Sequence, residues 1–141
     1  AEPEFATERN LETAGPSHPA ALGRIRLYQG RCDEALAEFE QEPVDWERKS
    51  GIALARACLG PPEAAAAALQ DIITHDADVA AIQIAEVYAY LDERDAAFAW
   101  LERAYVQKDH GVSLLRSHTT FRGLHRDPRW QPFLAKIGIA D

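Results

Sequence analysis

Methionine is absent from all 141 residues, position 1 included, so the chain is expected to be a processed form or, in the preferred reading, a fragment of a longer protein. Cysteine occurs only at positions 32 and 58. That is too few for a disulfide framework and the wrong spacing for a CxxC motif, so both are read as small buried hydrophobes, with their pairing left open. Long apolar runs are missing. Strongly apolar stretches such as 64–69 and 79–84 fall far short of the roughly 20 residues that a membrane-spanning helix needs. Residues 1–5 show no basic start followed by an apolar run, so no secretory leader is read there; a cytoplasmic location is expected and a periplasmic one stays open. Positive charge is scarce, with 15 Lys and Arg against 23 Asp and Glu and a net charge of −8, which argues against direct binding of the polyanionic nucleic-acid backbone.

Catalytic and metal-binding patterns are missing too. His18, His75, His110, His118 and His125 include no HExxH and no pair four residues apart, whereas a zinc site needs clustered ligands. There is no nucleophile elbow, no phosphate-cradling glycine loop and no carboxylate dyad, and Cys58 has no histidine predicted beside it. The chain is therefore expected not to be an enzyme and to carry no metal or cofactor. Period-two runs bounded by turn dipeptides are absent, which leaves strands without support.

What is present is helical. Apolar residues make up 47% and charged residues 27%, a globular composition. From Pro16 onward the apolar positions recur every three or four residues in segments of about 12 to 15, parted by Gly, Pro or charged turns. Gly30 reads as the glycine that closes a first helix, with Asp33 and Glu34 at the positive end of the next. Pro43 marks the exit of that helix. Gly60, Pro61 and Pro62 make a break, with Pro62 suited to a first helical position. The stretch 92–95 is a polar turn, and Asp127 with Pro128 reads as the start of a last helix closed by Gly138. The expected organisation is an acidic lead at 1–15, helix pairs at 16–45, 46–77 and 78–109, and capping helices over 110–138. In that cap Leu114, Leu115, Phe121, Leu124, Trp130, Phe133, Leu134 and Ile137 share one inward face.

The pairs repeat. Leu22, Gly23, Ala35 and Phe39 in the first answer to Leu54, Ala65, Leu69 and Ile72 in the second, and to Ile84, Ala85, Ala97, Leu101 and Ala104 in the third. Matching on Ala35, Ala65 and Ala97 gives offsets of 30 and 32 residues. A period near 34 with two helices per unit is the mark of a solenoid, in which small residues let two helices approach and a large one four positions on fills the space between pairs. These residues resemble the tetratricopeptide repeat (TPR) over 16–138. The first pair departs from it at Arg26 and Glu42, and the second at Ala53 and Arg56. The third pair and the segment after it are similar to the terminal repeat and cap of bacterial signalling and transcription-regulatory proteins. The resemblance implies an all-α, right-handed α-solenoid of three helix pairs with C-terminal capping helices.

It also implies a protein-protein interaction or regulatory module that takes a segment of a protein partner in a groove lined by the first helix of each pair. Arg24, Leu27, Tyr28, Cys58, Ile82, Glu86 and Tyr90 are the candidate contacts, among flanking positions Ala20, Ser50 and Leu54. Tyr28 and Tyr90 lead, because aromatic side chains carry much of the energy at interfaces. The positions that grip a partner's C-terminal carboxylate in some TPR domains are here Ala20, Arg24, Gly51, Val79 and Gln83, with one cation among them, so that subfamily is not expected. A small-ligand sensor using the same groove, or a structural dimerisation module, remains the alternative. Charge is uneven, at −6 over 1–45, −5 over 46–100 and +3 over 101–141. A secondary basic patch is therefore expected from Arg116, Arg122, Arg126 and Arg129.

Overall fold

A computed structural model describes residues 18–115 and 118–139. The acidic lead at 1–15 and Arg116 lie outside the described residues, as does the side chain of Leu114. Among the described residues the chain is all-α with no strand: α1 (Pro19–Tyr28), α2 (Cys32–Phe39), α3 (Asp45–Leu59), α4 (Pro62–Asp76), α5 (Ala81–Tyr90), α6 (Arg94–Val106) and α7 (Trp130–Ile137). Two 3-10 turns, His110–Leu114 and Thr119–Leu124, lie between α6 and α7. No described helix is long and apolar enough to cross a membrane.

Local chemistry sets most boundaries. Pro19 and Pro62 occupy the first helical position, where a missing N–H costs nothing. Gly30, at φ 78°, turns the chain after α1 into the left-handed region that a side chain disfavours. Glu42, which departs from the small residue expected at its repeat position, is buried because it serves as a cap. Its Oε1 accepts from the Ala20 N–H at 3.3 Å and its Oε2 from the Val44 N–H at 3.1 Å, satisfying a free donor at the start of α1 from across the pair. The last helix begins at Trp130 rather than beside Asp127. The Asp127 carboxylate is spent on the Arg129 N–H at 2.9 Å, which closes a turn first.

Each helix from α1 to α6 packs on the next, and α1 also meets α3 as α3 meets α5. The small positions Ala35, Ala65 and Ala97 are fully buried, and the large positions Phe39, Leu69 and Leu101 nearly so. Phe39 shows why. An ideal Cβ on Gly23 would stand 2.5 Å from the Phe39 ring and one on Gly51 2.1 Å from it, so the ring occupies a slot walled by glycine backbone from its own pair and from the next. Gly51→Ala therefore sets two effects against each other. Helix propensity favours the alanine by about 1 kcal/mol, whereas overpacking a tight site costs roughly 1–3 kcal/mol or more. With overlap that severe the packing term wins. The expected result is a lower melting temperature; an equal or higher one would mean that the slot opens freely.

The cap departs from the expected row of helices. Leu115, Phe121, Leu124, Trp130, Phe133 and Leu134 are all buried, in one cluster with Ala81, Ile82, Ala85 and Leu101. The second 3-10 turn, not an α-helix, lies against α5. The reading of the cysteines as small buried hydrophobes is corrected and their open pairing answered: Cys32 and Cys58 are half-buried and form a disulfide, with Cα atoms 5.7 Å apart. The reason is topological, since the turn after α1 returns Cys32 to the same end of the stack as the last turn of α3, a proximity that a separation of 26 residues does not reveal.

Candidate functional site

The face shared by α1, α3 and α5 carries the most developed polar chemistry in the molecule. Arg24 on α1 reaches Glu86 on α5 with both arms of its guanidinium, Nε to Oε2 and Nη2 to Oε1, each at 2.7 Å. Their chain separation, 62 residues, is two repeat offsets, so the two hold the same position in the first and third pairs; Leu54, at that position in the middle pair, is buried. The Glu86 side chain is 0% exposed and that of Arg24 18%. Thr120 in the second 3-10 turn donates its hydroxyl to Glu86 Oε2 at 2.7 Å. His118 Nδ1 stands 3.8 Å from the same oxygen and has no hydrogen-bond partner.

Charge balance follows from this geometry. Burial pushes the Glu86 carboxyl up, but the charge and hydrogen bonds of Arg24, aided by His118 and Thr120, outweigh it and hold the carboxyl below its ordinary value. Burial, opposed by Glu86 and reinforced by Arg24, holds His118 below the ordinary imidazole value. Glu47 on α3 is raised, first by burial and then by Glu42 and Glu86, against which the single charge of Arg24 is shared.

Four of the seven predicted groove residues, Arg24, Leu27, Tyr28 and Tyr90, surround a cleft of about 260 Å³ that the 3-10 turn closes from the other side with Thr119 and Gly123. The turn adds Arg122, whose Nη2 donates to the Tyr28 hydroxyl at 3.0 Å and whose guanidinium lies 5.4 Å from the centre of the Tyr28 ring. Tyr28 is 60% exposed and Tyr90 36%. The remaining three are elsewhere. Ile82 and Glu86 lie buried beneath the turn, and Cys58 is engaged with Cys32. Leu27, though it lines the cleft, is itself buried.

Of the predicted arginines, Arg122 and Arg129 are held by different partners. Arg122 belongs to the cleft, and Arg126 is exposed with no ion pair among the described residues. Arg129 is committed to Asp127 and Asp95 at 2.9 Å and lies over the Phe98 ring. Sequence reasoning missed Thr120 and His118, which carry no repeat signature. The Arg24–Glu86 pair had a usable signal in opposite charges at one repeat position two units apart.

Among the described residues no three His, Cys, Asp or Glu side chains are grouped to hold a metal ion. Comparison with protein-family models, with curated proteins and with solved structures found no match.

Proposed function

We propose that this chain is a TPR-like interaction or regulatory module, a right-handed solenoid of three helix pairs from a larger bacterial signalling protein, which takes a segment of a protein partner at the Tyr28–Tyr90 cleft. The packing of α1 on α3 and of α3 on α5, with small residues buried at equivalent positions, supports the solenoid. The observation that carries the binding reading is the exposure of two tyrosines beside an arginine at one cleft, while their neighbours along the same face are buried or bonded. Tyr and Arg are the residue types that dominate interface energetics. At about 260 Å³ the cleft is smaller than the roughly 300–1,000 Å³ typical of small-molecule sites, which favours side chains of a partner segment over an enclosed effector.

Quantitative pull-down from a lysate of the source organism, with wild type and a Tyr28→Ala/Tyr90→Ala variant, tests this. A partner retained by wild type is expected to be lost by the variant, with ΔΔG of at least about 2 kcal/mol of binding. Because both rings are partly in water, the melting temperature is expected to change by only a few degrees. Retained binding by a folded variant would remove the cleft from the reading.

A further inference from the structure

A second cleft, of about 580 Å³, lies between the first turns of α4 and the α5–α6 turn and shares no lining residue with the first. Of the five alanines at 64–68, Ala66 lines it. Here α4 meets α5 far more sparsely than α2, with Phe39, meets α3. The floor is apolar: Leu69 is buried, and Leu91 and Tyr88 are half-buried.

The rim is acidic. Glu63 sits in the first turn of α4 and Glu93 at the N-cap of α6, where its carboxylate makes no capping bond. Both are exposed, neither side chain has a hydrogen bond or ion pair among the described residues, and no lining residue is a cation. A position near a helix N-terminus accounts for an acid at each site, but not for two unpaired acids bracketing an apolar floor. Tyr88 lines the cleft with its ring half-buried, and burial with the charge of Glu93 raises its hydroxyl above the ordinary value.

We infer that this cleft docks a partner segment through an arginine or lysine side chain flanked by apolar residues. The aliphatic stem of such a side chain covers Leu69 and Leu91, and its head meets Glu63 and Glu93 at the rim, within reach of the Tyr88 ring. An acidic segment of the same size is repelled, because the residues from 46 to 100 already carry a net −5.

Titration of the full, 15N-labelled chain with the peptide acetyl-Ala-Leu-Arg-Leu-Ala-amide, and with the same peptide carrying Glu in place of Arg, tests the proposal by NMR. The arginine peptide is expected to give saturable shifts centred on the amides of Ala66, Gln70 and Leu91. Its affinity is expected to fall roughly tenfold or more in Glu63→Gln/Glu93→Gln and to stay unchanged in Tyr28→Ala/Tyr90→Ala. The glutamate peptide is expected to give no saturable shift. No saturation with the arginine peptide, shifts scattered over the acidic surface, or equal affinity for the glutamate peptide or in the Gln variant would overturn it. So would movement of the same amides with protein concentration alone, which would assign the cleft to a second copy.

Discussion

Glu86→Ala is expected to destabilise the fold by about 3–5 kcal/mol, because it strands the Arg24 guanidinium in a site where a buried charge has lost its partner. Arg24 gives both arms to Glu86, and Thr120 gives its hydroxyl to the same carboxylate, so one substitution leaves three donors on two side chains unpaired at once. For a domain of this size that corresponds to a drop in melting temperature of roughly 10–20 °C. The double variant Arg24→Leu/Glu86→Leu is expected to recover most of the loss, since an apolar replacement of a buried pair removes the desolvation penalty along with the attraction. A single-variant cost below about 1 kcal/mol would mean that the pair is open to water and contributes as a surface bridge does.

The pH dependence of the wild type has the same origin. Glu86 and His118 both titrate below their ordinary values in the folded chain. Each therefore contributes stability that is fully present above its unfolded pKa and is lost as pH falls through the folded value. The melting temperature is expected to begin falling below about pH 6.5, where an unfolded histidine takes up its proton, and to fall again in the carboxylate range. His118→Phe is expected to shrink the first step, leaving the share of His125, which burial and Arg122 also hold below its ordinary value.

Truncation after Asp109 is expected to abolish the soluble monomer. It removes Leu115, Phe121, Leu124, Trp130, Phe133 and Leu134, all buried, and uncovers the Ala81, Ile82, Ala85 and Leu101 surface they pack on. At about 1.5–3 kcal/mol for each large apolar side chain buried, the loss is on the order of the whole stability of a domain, about 5–15 kcal/mol. The truncated chain is also left with Glu86 short of its Thr120 donor. Aggregation on light scattering, or strong binding of a hydrophobic dye, is the expected outcome. A monomeric truncation with undiminished helix per residue and no dye binding would show that α7 and the 3-10 turns are an appendage.

The sequence by itself determined what depends on neighbours within a few positions. Pro19, Pro62 and Gly30 set helix ends through backbone torsions alone. The alternation of Ala35, Ala65 and Ala97 with Phe39, Leu69 and Leu101 marked the buried face of each second helix, because a helix repeats its faces every three to four residues whatever it packs against. Only the tertiary structure decided which distant residues meet. Gly51, which in the sequence marked only an unfilled carboxylate-gripping position, walls the Phe39 slot, and Cys32 met Cys58 because two helix ends lie side by side. Arg24 met Glu86 across an intervening pair, and Thr120 and Arg122 came to the same face on a 3-10 turn with no periodicity to announce it. These contacts depend on how the helices pack on one another and on where the chain after α6 returns. Both are set by the summed packing of many side chains, which no local pattern encodes.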